Sequence, residues 1–381
     1  MIDVNISKKL TPILPEIKGE RCVHALIETA SCQACVDVCP QHSWILDDES
    51  LGLDTSTCDG CGLCVPVCTE GAITQTKDCT IREENNKKVL LLACEYIESN
   101  TDSSVESNIH NSIHNNEWKC VHAVSASELL NLYHNGIRQI VVAKSNCELC
   151  VRGKVEHLND RVCKIDKMLR HSHLAPLHYN EIPADQWYQL WKTPKKTASG
   201  PEMSRRMFFR SAIKQTVDMV LHQTTLDLTQ SEFVPLAKIV DEDIESADFG
   251  EEQTLYPAVP VINPEKCNGC DTCFRACPHG ALLFKLEAGK ARYEINASVC
   301  TGCNICTDLC EKNAISILQW STQTPASRVI NLNVEKCHSC GTIFHYTSVK
   351  NTEGTVNNRL RKQCNICEKV NHQKNLFQVF D

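Results

Sequence analysis

The chain has 381 residues, a net charge of −8 and a pI near 6.0; the length suggests two to four domains, and the charge argues against nucleic acid as a main partner, because phosphate binding requires a positive surface. With 42% hydrophobic and 6% aromatic residues it can bury several small cores, and no run approaches the ~18 apolar residues of a membrane span. Its 26 cysteines would mean disulfides in a secreted chain, but they fall into CxxC groups and the first residues, MIDVNISKKLTPILPEIKGE, lack the apolar core of a signal peptide, so a reducing cytoplasm is the expected home.

Residues 22–73 contain CVHALIETASCQACVDVCP and CDGCGLCVPVCTEGAIT, with 18 residues between Cys39 and Cys58. Thiolates three, three and four apart bring three ligands around one corner of an iron–sulfur cubane and send the fourth toward a second one. Cys58, Cys61, Cys64 and Cys68 have this full spacing. In the first run Cys32, Cys35, Cys39 and Pro40 fit, but the leading Cys22 lies ten positions before Cys32 instead of three. A longer loop still delivers a thiolate, at a closure cost that grows only logarithmically with length, so Cys22 is expected to be a ligand. The alternative is a buried free thiol beside a three-iron or solvent-ligated cluster. Residues 1–80 thus form one dicluster domain.

Residues 84–192 change style. KKVLLLACEYI (87–97) and IRQIVVAKSNCELC (137–150) are short apolar runs rich in Leu or β-branched residues. Between them SASELLNLYHNG has a Ser N-cap, a Leu and Tyr stripe at helical spacing and a terminating Gly136. Strand, helix and strand with a crossover predict a small α/β domain with a partly parallel sheet, interrupted by a polar insertion loop over 98–117. Cys94, Cys120, Cys147 and Cys150 stand where strands end, the place where α/β folds build sites. This arrangement, over residues 86–170, is similar to the iron–sulfur delta subunit that links methyl-viologen-reducing hydrogenase or formate dehydrogenase to heterodisulfide reductase and carries a 2Fe-2S cluster. That family has a second cysteine soon after the first and a longer Gly-rich segment around the third, both absent here. The four cysteines suit one 2Fe-2S cluster or one Zn²⁺; buried apolar thiols are the other reading.

Residues 193–260 read as a connector. It holds a loop, KTPKKTASGPE, and an acidic run, DEDIESADFGEE (241–252), that is either a solvated linker or a docking segment for a basic partner. Between them, MSRRMFFRSAIKQTVDMVLH looks like a twin-arginine export signal, but it begins at Ser204 and lacks an apolar core. A helix capped by Ser204, with Phe209, Ile213, Val217 and Val220 on one face, is expected instead.

Over residues 261–320 the chain reads CNGCDTCFRACP, with 22 residues from Pro278 to Val299, then CTGCNICTDLC. This doubled spacing leaves disulfides or buried hydrophobes as explanations with little room. The segment resembles a bacterial-type dicluster ferredoxin carrying two 4Fe-4S clusters, and residues 22–73 make it an internal repeat. The family's crossed pattern implies one cluster on Cys267, Cys270, Cys273 and Cys310 and another on Cys300, Cys303, Cys306 and Cys277. In the N-terminal unit it implies Cys22, Cys32, Cys35 and Cys68 for one, and Cys58, Cys61, Cys64 and Cys39 for the other. Glu311 stands where the family has its second Pro, which turns the chain and ligates nothing.

Residues 328–381 carry CHSCGTIFH and CNICEK, with 23 residues between Cys340 and Cys364. Two CxxC knuckles at this distance resemble a zinc ribbon and also rubredoxin, and tetrahedral thiolates from Cys337, Cys340, Cys364 and Cys367 suit zinc or a single iron. Rubredoxin has Pro after its third cysteine and Gly after its fourth; Asn365 and Glu368 stand here, so structural zinc is the expectation. Nucleic-acid binding is disfavoured, with Arg359, Arg361 and Lys362 the few basic residues that keep it open. Cys79 and Cys163 remain as expected buried thiols.

The predicted fold is therefore α+β and multidomain, with two ferredoxin-like dicluster units flanking a small α/β domain and a zinc-ribbon-like module at the end. No GxGxxG, Walker loop, HExxH or GxSxG motif occurs, so a small-molecule substrate is not expected and the chain reads as an electron carrier, not an enzyme. The expected function is passage of single electrons through four 4Fe-4S clusters to or from a redox enzyme or electron-transfer protein. The alternatives are a stably bound subunit of an oxidoreductase of formate dehydrogenase or hydrogenase type, and a scaffold or assembly protein with structural clusters.

Overall fold

In the computed structural model, residues 13–47, 50–84, 87–97, 118–152, 155–187, 223–227, 235–236, 254–287, 289–323, 328–347 and 363–376 are described. The chain divides into two units, residues 1–22 with 33–233 and residues 23–32 with 234–381. The expected insertion loop over 98–117, the helix from Ser204, the acidic run 241–252 and the basic residues Arg359, Arg361 and Lys362 lie outside the described residues.

In the first unit, β1 (Glu16–Ile17), β2 (Trp44–Leu46), β3 (Leu51–Leu53) and β4 (Ile73–Thr74) are short strands, with β1 antiparallel to β4 and β2 to β3. A five-residue helix, α1 (Ala34–Val38), precedes Cys39. These strands are too short to make a large core, so the cysteines join it: Cys35, Cys39 and Cys68 pack against buried Trp44, Cys64, Val65 and Ile73. Next come β5 (Asp78–Glu84), β6 (Lys87–Ala93), β7 (Ile137–Ala143), β8 (His178–Glu181) and β9 (Gln223–Asp227). They form one sheet in the order β8-β7-β6-β5-β9. β6, β7 and β8 are mutually parallel, while β5 and β9 are antiparallel additions. Val89 to Ala93 are all buried, as a central strand covered on both faces requires.

The crossover from β6 to β7 contains α2 (Ala126–His134). Ser125 caps it with a capping box to Glu128, and Gly136, at φ 86°, ends it. The crossover from β7 to β8 contains α3 (Leu158–His171), which buries Leu158, Val162, Ile165 and Leu169 at spacings of four, three and four. Cys163 points off that stripe and is exposed, which corrects the expectation of a buried thiol, whereas Cys79 is fully buried in β5. β5 opens at Asp78, inside the expected ferredoxin segment, and β9, inside the expected connector, is an edge strand paired with it.

In the second unit, β10 (Leu255–Ile262) runs antiparallel to β13 (Ile315–Thr322), and β11 (Leu282–Glu287) forms a hairpin with β12 (Lys290–Ile295). Short helices α4 (Thr272–Arg275) and α5 (Ile305–Asp308) carry the cysteine runs. β14 (Val329–Lys336) pairs with β12, and β15 (Ile343–Thr347) with β14. Leu332 of β14 shares a core with Ile262, Leu282, Tyr293 and Ile315. β14 pairs with β12 and covers the edge that the ferredoxin hairpin would otherwise leave open. A last helix, α6 (Asn365–Leu376), carries Cys367. Among the described residues no helix is long and apolar enough to cross a membrane.

Candidate metal centres

The four cysteine runs share a turn that the spacing alone does not announce. Three residues after the last cysteine of each run the backbone is left-handed, at His42 (φ 50°), Gly71 (60°), Gly280 (65°) and Asn313 (46°). The N–H of that residue bonds back to the cysteine carbonyl, at 3.2 Å for Cys39, 3.2 Å for Cys68, 3.4 Å for Cys277 and 2.9 Å for Cys310. The next N–H then points at the sulfur. Ser43 donates to Cys39 Sγ at 3.4 Å, Ala72 to Cys68 at 3.2 Å, Ala281 to Cys277 at 3.3 Å and Ala314 to Cys310 at 3.2 Å. Such bonds favour thiolate over thiol and tune a cluster held by it. The N-terminal run that departs in sequence at Cys22 keeps this turn intact.

Ahead of the turns, three of the runs use alternating left-handed residues between their thiols: Gly60 and Gly62, Gly269 and Asp271, Gly302 and Asn304. Asp and Asn are the non-glycine residues that best tolerate this conformation. In the first run Gln33 and Ala34 stand between Cys32 and Cys35 and the chain enters α1 instead. That difference fits a leading ligand delivered from further away.

The structure groups thiols from different runs. Cys39 lines a small cavity with Cys58, Cys61 and Cys64. Cys22 is a neighbour of Cys68, adding its charge to the burial that raises the Cys68 thiol above its ordinary value. Cys32, which is exposed, belongs to the segment 23–32 that groups with the second unit. In the second unit Cys310 packs with Cys267 and Cys273, and Cys277 packs with Cys300 around Ala258 and Ala281. Cys267, Cys270, Cys273 and Cys310 together line a cavity of about 800 Å³.

Electrostatics indicates what these sites accept. Burial, then the charges of Cys267, Cys270 and Cys310, push the Cys273 thiol up to about 12. Burial pushes Cys61 up to about 12, and burial with Cys303, Cys300, Cys273 and Cys277 raises Cys306 further. Four thiolates gathered out of water are unfavourable unless cations join them, so occupation by iron and folding are coupled. The donor set is all sulfur and too widely splayed for one ion, as a cubane requires.

The tail closes more tightly. The Sγ atoms of Cys337, Cys340, Cys364 and Cys367 all lie within 4.8 Å of one another, as no other His, Cys, Asp or Glu group does among the described residues. Cys340 Sγ and Cys364 Sγ are 3.8 Å apart, the edge of a tetrahedron with metal–sulfur bonds of about 2.3 Å. The Cys364 N–H, 3.3 Å from Cys337 Sγ, helps hold that thiol below its ordinary value.

In the α/β domain, Cys94 neighbours both Cys120 and Cys147, and Cys147 neighbours Cys150. They do not converge within the distance that a single ion needs. His122 is a residue the sequence did not single out. Its Nδ1 accepts the Leu158 N–H at 2.9 Å, so the other ring nitrogen carries the proton and donates to Cys147 Sγ at 3.2 Å. Burial, then His157, lowers its pKa to about 4, which keeps the ring neutral. Arg152 was missed too. It is 3% exposed and bonds Asp59 between Cys58 and Cys61, Glu95 after Cys94 and the Lys119 carbonyl before Cys120. Cys61, Leu63 and Cys120 share one apolar cluster, so the α/β cysteines adjoin the second N-terminal run.

Family comparisons agree with this geometry. Residues 266–314 match a 4Fe-4S dicluster domain, and residues 52–74 and 20–42 each match a 4Fe-4S binding domain; the last stretch contains Cys22 together with Cys32, Cys35 and Cys39. These stretches are ferredoxin-like 4Fe-4S domains, and they support an iron–sulfur electron-transfer role for the chain. No curated protein matches the chain.

Proposed function

We propose that the chain is a polyferredoxin-like carrier that moves single electrons through four 4Fe-4S clusters to or from a redox enzyme, without a substrate site of its own. The reading rests on one observation above all: the last cysteine of a run sits with the thiols of the opposite run, Cys39 with Cys58, Cys61 and Cys64, and Cys277 with Cys300. Crossed ligation places two clusters side by side, and short separation is what electron hopping needs. The clusters are assigned to Cys22, Cys32, Cys35 and Cys68; to Cys39, Cys58, Cys61 and Cys64; to Cys267, Cys270, Cys273 and Cys310; and to Cys277, Cys300, Cys303 and Cys306. Zinc is assigned to the tail, in a structural role.

Cys94, Cys120, Cys147 and Cys150 are assigned a 2Fe-2S cluster over zinc. A two-iron cluster takes two ligands on each iron, so it tolerates four thiols that do not close on one point. Its contact with the N-terminal unit through Cys61 and Cys120 extends the electron path into the α/β domain. A stably bound oxidoreductase subunit is favoured by one further feature. Leu149 and Val151, on either side of Cys150, are 83% and 76% exposed, an apolar rim where that path meets the surface. Co-purification in fixed ratio with a larger redox enzyme would select this second reading.

Metal analysis of anaerobically purified protein tests the assignment. About sixteen iron atoms are expected from four cubanes and about eighteen with the two-iron cluster, beside about one zinc. A count near eight would remove one ferredoxin unit from the path.

A further inference from the structure

Lys77 is 2% exposed, yet no carboxylate lies within ion-pair distance of it among the described residues. Its ammonium donates to the Ala123 carbonyl at 3.1 Å and sits 4.3 Å from the centre of the buried Trp118 ring, two contacts suited to a cation. Glu128, the carboxylate whose charge acts on Lys77, is engaged elsewhere: it accepts the Ser125 N–H at 2.6 Å and the Ser125 hydroxyl at 2.8 Å. Burial lowers the Lys77 pKa, and the negative charges of Glu128, Cys64, Cys79 and Cys120 oppose that shift; a buried charge without a partner is strongly destabilising, so an anion beside Lys77 is what holds it in its charged form.

That anion is identified by Gly62, which stands between Cys61 and Cys64. A Cβ at this position would lie 3.1 Å from Lys77 Nζ and 2.3 Å from Gln75 Oε1, and φ is +76°. Glycine therefore lets the ammonium come up against the loop that carries two of the thiolates. Arg152, the other buried cation here, is neutralised by Asp59 and Glu95, which leaves Lys77 as the charge that faces the site. Two residues past Cys68, on the side of the other cluster of the unit, the buried charged residue is acidic, Glu70.

We propose that Lys77 is the buried counter-cation of the cluster held by Cys39, Cys58, Cys61 and Cys64, and makes it the more readily reduced cluster of the N-terminal unit. The inference deepens the electron-carrier reading and rests on it. One electron lost by the cluster of Cys22, Cys32, Cys35 and Cys68 is gained by this one, with no proton or bond exchanged, and it comes to rest beside Cys120 of the α/β domain. A positive charge near a cluster favours the reduced, more anionic state.

The test is an EPR-monitored redox titration of full-length Lys77→Met, purified anaerobically. One 4Fe-4S signal, the one altered by Cys61→Ser, is expected to lose at least tenfold in its reduced-to-oxidised ratio at fixed potential, about 59 mV for one electron, with iron content and the other signals unmoved. Glu128→Gln should move the same signal in the opposite direction. An unshifted Lys77→Met signal with full iron overturns the proposal while leaving the carrier reading intact; wild-type protein without iron would sink the carrier reading itself. Should Lys77→Met lose about four iron atoms, retention of them in Lys77→Arg supports a counter-charge needed for assembly, and their loss in both variants overturns it.

Discussion

Cys277→Ser is expected to lose the cluster of Cys300, Cys303 and Cys306, which are 23 or more residues away in sequence, and to keep that of its near neighbours Cys267, Cys270 and Cys273. The reason is mechanical. Cys273 itself stands in α4, whose one turn carries Cys277 away from the first group and packs it with Cys300 against Ala258 and Ala281. Its charge is felt by Cys306, whereas Cys267 and Cys273 feel Cys310. Serine is a poorer ligand than thiolate, and it removes the sulfur that accepts the Ala281 N–H. Iron should fall by about four atoms per chain, and transfer to a partner should fail because one stepping stone is missing. Cys310→Ser should show the mirror pattern. Mössbauer spectra in which Cys277→Ser instead loses the cluster of Cys267, Cys270 and Cys273 would refute the crossing.

The cysteine runs were legible because a cluster fixes the spacing of its ligands. The shared turn after each run was partly legible: Gly71 and Gly280 advertise a left-handed residue and Asn313 does so more weakly, but His42 does not. Side chains that meet across the fold left no local trace. Arg152 reaches Asp59 across 93 positions, and Lys77 reaches Ala123 across 46; neither residue type at those positions is unusual until the partners are brought together. The pairings of β9 with β5 and of β14 with β12 are equally invisible in the sequence, since they join strands over long separations. The exposure of Cys163 is legible in the helical stripe of Leu158, Val162, Ile165 and Leu169 in α3, which leaves position 163 off the buried face.

Gly269→Ala is expected to strip the metal from the tail and to loosen the cluster of Cys267, Cys270, Cys273 and Cys310. β15 lies directly on the loop between Cys267 and Cys270. Thr347 Oγ1 donates to the carbonyls of Cys267 and Pro264 at 2.5 and 2.6 Å, Asn365 Nδ2 to that of Asn268 at 3.3 Å, and His345 Nε2 meets Asp271 Oδ1 at 2.6 Å. Gly269 has φ +73°, and a Cβ there would stand 2.5 Å from the His345 carbonyl oxygen and 3.0 Å from Tyr346 Cα. Both obstacles are backbone, which cannot rotate aside as a side chain can. Left-handed alanine costs about 1–2 kcal/mol, and the forced separation of β15 adds about 1–3 kcal/mol. Gly289→Ala separates the two effects, since Gly289 has φ +78° but open space around it; it should show the backbone strain alone and keep its metals. Metal content and chemical denaturation midpoints of the two variants should therefore diverge, with Gly269→Ala losing zinc and up to about four iron atoms. If the two variants behave alike, the tail does not depend on its seat over this loop, and the close fit between β15 and Gly269 carries no weight in holding either metal site.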